Sequence, residues 1–421
     1  LSLNESLIKS RINVLMGKHE ANIAFTADGY ARTSGKTGIV LITPGPGLGN
    51  IVSGSMEAYN DDIPLLFIHI DTDRKEIGKG ILHELKHPES IFKYITKKTY
   101  YASQADKLLS ILEDAYLATL QERKGPVLIS IPYAFFENNI AYDTKLADKY
   151  LSGSFTKERA GVAGVPWAEE LVKKLEGVKK PVIIGGKALM FEGAKQMLDS
   201  ICKTGSIPFI TTTGGKGIVS EDSTYAFGSV MQKGTVRDII ASSDIVIAVG
   251  TRLRNVDAKR RGVKIDRLVH IDIDDKWIGR NYRTEIGITG NMQNVLQTLY
   301  EMLKGKRFEW DLGLLKERYA TELAELDKQS QGFRTINILR RVIPEDTIIT
   351  CDLNYLSYWA EYYFPVYRQN TFIMPRGISP IFYSLPASIG AKIGRPDRPC
   401  LSLCGDGGIL PAIGELATMK Q

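Results

Sequence analysis

Cysteine is scarce in this chain. Its 421 residues hold only Cys202, Cys351, Cys400 and Cys404. No pair has zinc-ligand spacing, which argues against a zinc ribbon or a disulfide framework and suits a reducing cytoplasm. Cys400 and Cys404 read as small buried hydrophobes on one strand. No run of 18 apolar residues exists, so no membrane span is indicated. The opening LSLNESLIKS lacks the shape of a signal peptide. Charge of one sign is only modestly in excess, +6 from 54 basic and 48 acidic residues. It is spread along the chain, without the basic stripe interleaved with aromatics that a nucleic-acid face requires. The excess still favours anionic substrates or cofactors.

What is present is an α/β pattern. The hydrophobic share of 43% and charged share of 24% are ordinary for a globular protein of two or three domains. Strands are predicted at 38–43, 65–70 and 127–131, alternating with helices at 21–33, 50–59 and 105–121, as in a parallel sheet. Residues 150–166 read as a linker. A second series of strands, at 181–184, 208–212, 244–249 and 268–273, ends repeatedly in Gly or Asp. That is the pattern of a Rossmann-like open sheet. A charged helix at 315–329 leads to a third unit with strands at 347–351, 372–374 and 399–404 and a helix at 385–394. The domains are therefore placed at 1–150, 160–310 and 325–421. The chain lacks an initiator Met and Gln421 falls within a helical pattern, so both ends read as incomplete.

Two motifs carry chemistry. Near the end, a strand runs into Gly405-Asp406-Gly407-Gly408, followed by a helical pattern with Ile413, Leu416, Ala417 and Lys420 spaced by three or four. Backbone amides at a helix start suit an anion such as a diphosphate, and a carboxylate beside them suits the hard cation bridging it. The competing reading is a helix cap with turn-forming glycines. Near the start lie His19-Glu20, Gly29-Tyr30-Ala31-Arg32, Ser34-Gly35, Gly45-Pro46-Gly47 and Asn50.

In order and spacing, these motifs resemble the thiamine-diphosphate-dependent 2-oxo acid enzymes, in particular the acetolactate synthase, pyruvate oxidase and benzoylformate decarboxylase group. The resemblance covers nearly the whole chain and is closest to acetolactate synthase large subunits. It implies a pyrimidine-binding domain, a central Rossmann-like domain and a diphosphate-binding domain. It also implies thiamine diphosphate and Mg²⁺ as cofactors and leaves FAD undecided, since Gly250-Thr251-Arg252 fits the FAD-binding members and residues 253–259 depart from them. Decarboxylating a 2-oxo acid needs an electron sink that no side chain provides, which is why a cofactor carries it.

By the same resemblance, Glu20 is the catalytic carboxyl that bonds the pyrimidine ring nitrogen, with a pKa raised by partial burial; alone it would read as a first-turn helix carboxylate. Asp406 is the Mg²⁺ ligand, with Gly405, Gly407 and Gly408 at the diphosphate. Gly45, Pro46, Gly47 and Asn50 shape the pyrimidine and substrate side. Ile381 is the apolar wedge that keeps the cofactor bent. Asp352-Leu353-Asn354 aligns with an Asp-x-Gly near the diphosphate, and Asn354 and Tyr355 are assigned there. Asn354 stands where the family has Gly and is expected to tolerate a left-handed backbone. The implied assembly is a homodimer with active sites shared between subunits, or a homotetramer, with room for a regulatory subunit. The implied activity is cytoplasmic: pyruvate is decarboxylated and joined to a second 2-oxo acid, as in branched-chain amino acid biosynthesis. Simple 2-oxo acid decarboxylation and pyruvate oxidation are the alternatives.

One motif points elsewhere. His83-Glu84-Leu85-Lys86-His87 matches the zinc-peptidase pattern, which needs both histidines on one helical face. Pro88 disfavours helical geometry at His87, and no third ligand is evident. By resemblance, His83 instead replaces a Gln facing the substrate and offers a titratable imidazole there. A surface-loop histidine is the plain alternative.

Overall fold

The computed structural model describes residues 2–10, 12–136 and 166–421; the predicted linker lies outside them. The strands form three sheets, as three consecutive sheet domains require, and the contacts group the described residues into two compact units. One contains the residues up to 136 together with Ile349–Leu353 and Pro375–Gln421. The other runs from 166 to Ile348 and includes Asn354–Met374.

In the first unit, β1 (Gly38–Ile42), β2 (Leu65–Asp71), β3 (Lys98–Tyr101) and β4 (Val127–Pro132) form a sheet in the order β1-β2-β4-β3. Every pair is parallel. Strand β3 had no counterpart among the predicted strands; its sequence, KTYY, is partly polar and half-exposed. Short apolar runs become strands here because both faces are covered, one by the cluster of Val40, Ile42, Phe67 and Phe92, the other by that of Leu66, Ile129 and Ile131.

The Glu20–Ser34 helix starts at His19, whose ring Nδ1 accepts from the Ala21 N–H at 3.2 Å, and stops at Gly35, whose φ of 72° reverses the chain. It packs closely on the Ser384–Gly394 helix. A β-carbon on Gly390 would come within 1.7 Å of the Thr26 carbonyl oxygen, and one on Gly29 within 2.0 Å of the Ala387 oxygen. Those two glycines let the backbones touch, so any larger residue would force the helices apart.

The first unit also holds β13 (Cys400–Leu403), which neighbours β11 (Ile348–Cys351). The predicted helix beyond β13 is instead a single α-turn, Asp406–Ile409, followed by 3₁₀ turns over Leu410–Leu416 and Thr418–Lys420. Its polarity is inverted: Ile413 and Leu416 are exposed while Glu415 is fully buried. The reason is that Glu415 Oε1 accepts from the N–H groups of Lys18 and His19 and from Asn22 Nδ2, at 3.0–3.2 Å, satisfying amides at the start of the Glu20 helix.

The second unit has a six-stranded sheet of β5 (Pro181–Gly185), β6 (Phe209–Thr211), β7 (Ala226–Ser229), β8 (Ile245–Val249), β9 (Leu268–Asp272) and β10 (Ile286–Thr289). The order is β10-β9-β8-β5-β6-β7, again all parallel. The strand order reverses between β5 and β8, which is the expected Rossmann-like arrangement. At that point Gly186 lies against the next loop: a β-carbon there would be 2.3 Å from the Gly250 oxygen. A two-residue strand, β12 (Phe372–Ile373), also belongs to this unit. Among the described residues, no helix is long and apolar enough to cross a membrane.

Candidate active site

The loop after β1 carries the first group of predicted residues. Gly45 has φ 66°, and a β-carbon there would lie 3.0 Å from the His83 β-carbon, so glycine is required both by backbone angle and by space. Pro46 begins the short Pro46–Asn50 helix at a position where its missing N–H costs nothing. A β-carbon on Gly47 would be 3.3 Å from Glu20 Oε1. Asn50 Nδ2 donates to Glu20 Oε2 at 2.9 Å. Five residues far apart in sequence, Glu20, Gly45, Gly47, Asn50 and His83, are thus brought into one corner at the carboxyl ends of β1 and β2, where open α/β sheets hold their ligands.

Glu20 corrects one expectation. Its carboxyl lies below the usual carboxylate range, not above it, because the Asn50 amide stabilises the charged form and outweighs the half-burial of the group.

His83 and His87 do not share a helix. His83 sits in an exposed turn with φ 67°, and His87, φ 53°, precedes the Pro88–Phe92 helix. Glu89 lies 3.5 Å from the His87 ring. Among the described residues, no group of three His, Cys, Asp or Glu could hold a metal ion. The zinc-peptidase geometry is therefore absent from this segment: Pro88 prevents the helix that would align the two rings.

The Gly405–Gly408 turn presents Asp406 and Gly407 to solvent. Space around Gly407 is open. The Gly408 N–H is engaged by the Gly405 carbonyl at 3.1 Å, so that amide is committed to the turn. Gly408 itself is buried against Asp352: a β-carbon there would come within 2.3 Å of Asp352 Oδ2. An exposed lone carboxylate beside a glycine turn fits Mg²⁺, which takes one or two carboxylates and fills its other positions with water and phosphate oxygens.

Ile381 is 55% exposed, so its side chain is free to meet a ligand. Asn354 and Tyr355 belong to the second unit. Asn354 does not adopt the left-handed backbone expected of it. Its φ is −139°, and its side chain caps the Tyr355–Tyr363 helix by accepting from the Ser357 N–H at 3.0 Å. An Asn at a helix start serves better as a cap than as a turn.

A buried polar network was not foreseen. Arg32 meets Asp28 at 2.6 Å, Asp61 at 2.7 Å and Glu57 at 3.5 Å, and the Tyr383 hydroxyl donates to Asp28. Arg32 stands in the Gly-Tyr-Ala-Arg motif, but nothing in the sequence identifies its partners.

Strand β2 adds two buried titratable groups on one face, His69 and Asp71. Burial pulls the His69 ring down to about 4, with Ser130 Oγ 3.0 Å from Nδ1, and pushes the Asp71 carboxyl up to about 6. Between about pH 4 and 6.5 the unfolded chain protonates His69 and the native state does not, so this group makes stability fall on acidification. Between about pH 4 and 6 the native state holds the Asp71 proton more tightly, so that group makes stability rise on acidification. The two nearly cancel in the wild type. Asp71→Asn is expected to unmask the histidine: stability should drop by about 3 kcal/mol from pH 6.5 to 4, read as a falling urea midpoint. A flat profile in that variant would refute the assignment.

Comparisons with known proteins identify the family. Residues 1–90 match the thiamine pyrophosphate enzyme N-terminal TPP binding domain, 168–299 the central domain and 354–421 the C-terminal TPP binding domain. A probable 2-ketoarginine decarboxylase of Pseudomonas aeruginosa is 30% identical over all of this chain and 75% of its own length. A probable acetolactate synthase large subunit of Methanocaldococcus jannaschii is 29% identical over all of this chain and 74% of its own. An acetolactate synthase large subunit of Lactococcus lactis is 28% identical over 97% and 72%. With all three of its domains represented in sequence, and a glycine-lined corner holding Glu20 in structure, the chain belongs to the thiamine pyrophosphate enzymes that act on 2-oxo acids.

Proposed function

We propose that this chain decarboxylates pyruvate and joins the remaining two carbons to a second 2-oxo acid, as an acetolactate synthase does. The observation that supports the reading is the convergence of Glu20, Gly47, Asn50 and His83 in one corner of the fold. When bound, thiamine diphosphate supplies the electron sink for loss of CO₂. Asp406 holds Mg²⁺, and the turn at Gly405 and Gly407 faces the diphosphate, with Gly408 packed beneath. Asn354 and Tyr355 act on the diphosphate side as well. Glu20 would hydrogen-bond the pyrimidine nitrogen of bound thiamine diphosphate and share its proton there. Gly45 and Pro46 shape the pyrimidine side, Ile381 packs against the cofactor, and His83 handles a proton on the substrate. Glu20 and Asp406 come from different subunits of a homodimer, alone or paired as a homotetramer, in the cytoplasm. FAD stays undecided.

A second reading, simple 2-oxo acid decarboxylation, is favoured by the 30%-identical probable 2-ketoarginine decarboxylase. The protein, supplied with thiamine diphosphate and Mg²⁺, should convert pyruvate to acetolactate under the first reading. Free acetaldehyde, or a guanidino aldehyde from 2-ketoarginine, supports the second. Chelation of Mg²⁺ should abolish turnover and its return should restore it. Turnover of none of these substrates with cofactor bound would dismiss both readings.

A further inference from the structure

The segment that carries Ile381 is held at both ends by buried carboxylates from elsewhere in the chain. At its start, Glu57 Oε1 accepts from the Gly377 N–H at 2.9 Å, and Oε2 accepts from Ile378 at 2.7 Å and Ser379 at 3.1 Å. At its end, Asp352 Oδ1 accepts from the Tyr383 N–H at 2.7 Å and the Ser384 N–H at 2.8 Å. Glu57 lies on the Val52–Asn60 helix and Asp352 directly after β11. Both are almost wholly buried, at 0% and 2% exposure.

Burying a carboxylate is costly unless its oxygens are satisfied; backbone N–H donors satisfy both Glu57 oxygens and Asp352 Oδ1 with fixed geometry, while Asp352 Oδ2 has no hydrogen-bond partner among the described residues. Five consecutive-segment amides are spent here on two side chains. The backbone between them is bent twice, with φ 57° at both Ser379 and Phe382, a region that side chains other than glycine occupy at a cost. Such an arch persists only when its ends are pinned. The ends are also close-packed: a β-carbon on Gly377 would be 2.4 Å from the Glu57 carbonyl oxygen. The result is an arch whose summit, Ile381, stands exposed while the residues on either side are tied down.

We infer that Glu57 and Asp352 are positioning residues that pre-set the Gly377–Ser384 arch, so that Ile381 meets the cofactor in a fixed orientation. The inference rests on the proposed role of Ile381. It adds a cause for the side chain's placement, and it links the Val52–Asn60 helix to the cofactor side of the molecule. Pre-organisation of this kind lowers the cost of binding because the loop is not ordered at the moment of contact.

The test is a double-mutant cycle read by calorimetric titration of thiamine diphosphate with Mg²⁺, beside the thermal midpoint of each variant. Glu57→Met and Asp352→Leu each remove every side-chain acceptor of the arch amides while roughly keeping volume; Gln or Asn would not, because the one amide oxygen could go on accepting. Each is expected to weaken binding about tenfold at temperatures where the variant is fully folded. Ile381→Ala should do the same. If the carboxylates act through Ile381, adding Glu57→Met or Asp352→Leu to Ile381→Ala costs less than twofold more. Should Glu57→Met fail to fold, the Asp352 cycle decides. Full additivity in the cycle, or binding unchanged with only the thermal midpoint lowered, overturns the positioning role. A wild type that does not bind thiamine diphosphate overturns the cofactor reading itself, a distinguishable result.

Discussion

Glu20→Gln should lower cofactor-dependent turnover by about 10²–10³-fold, the range removed with a positioned proton-transfer group. The substitution keeps the volume of the side chain, and Gln can still accept from Asn50. What it loses is the charge and the ability to exchange a proton. The Asn50 amide holds the Glu20 carboxyl below its ordinary range by favouring the charged form, so the wild-type group is a charged hydrogen-bond acceptor that gives up a proton more readily than it takes one. The thermal midpoint should stay close to that of the wild type, since Glu20 is half-exposed and lies at the first turn of its helix, outside the buried network. Steady-state rates at saturating thiamine diphosphate and Mg²⁺ measure the effect. Wild-type turnover in this variant would remove Glu20 from the mechanism.

Arg32→Met should cost about 3–5 kcal/mol of stability, the amount typical of removing one partner from a buried ion pair. Arg32 pairs with all three of Asp28, Glu57 and Asp61. Asp28 and Glu57 side chains are 1% and 0% exposed, so they cannot turn to water when the guanidinium is lost. The carboxyl of Glu57 is already raised, first by burial and then by Asp61, with Arg32 opposing the shift. Without Arg32 these groups must take up protons, so the variant should recover stability as pH falls. Arg32→Lys should restore only part of the loss, because an ammonium cannot reproduce several planar contacts at once. Hydrogen exchange of amides within the Glu20–Ser34 helix reads the effect locally. Exchange as slow as in the wild type would show that the network contributes little.

The two variants separate chemistry from architecture within one helix. Glu20 and Arg32 lie twelve residues apart on the same element, at its first and last turns. The first faces the Gly45–Asn50 loop, and the second is sealed among acids and the Tyr383 ring. Loss of activity without loss of stability at one end, and the reverse at the other, would assign the helix two independent tasks.

Much of this was legible in the chain. Apolar runs ending in Gly or Asp mark the parallel strands, and motif spacing groups Glu20, Gly45, Gly47 and Asn50, which lie in one corner of the fold. Local polarity misled at the other end. Ile413 and Leu416 looked like a buried stripe, yet they are exposed, because Glu415 is drawn inward by the amides of Lys18 and His19. Asn354 was read for its tolerance of left-handed turns, whereas its position before a helix made it a cap. His83 and His87 had metal-ligand spacing, but ring spacing means little without the helix that Pro88 denies them.

By itself, the sequence determined the α/β class, the family and the residues whose chemistry suits thiamine diphosphate, because strand periodicity, glycine turns and motif spacing are local properties of a chain. Only the tertiary structure decided the direction in which the Glu20 pKa moves, the inward turn of Glu415 and the two-ended anchoring of the Ile381 arch. Each of these depends on a donor tens to hundreds of residues away, and hydrogen bonding and burial act through space, so no local pattern encodes them.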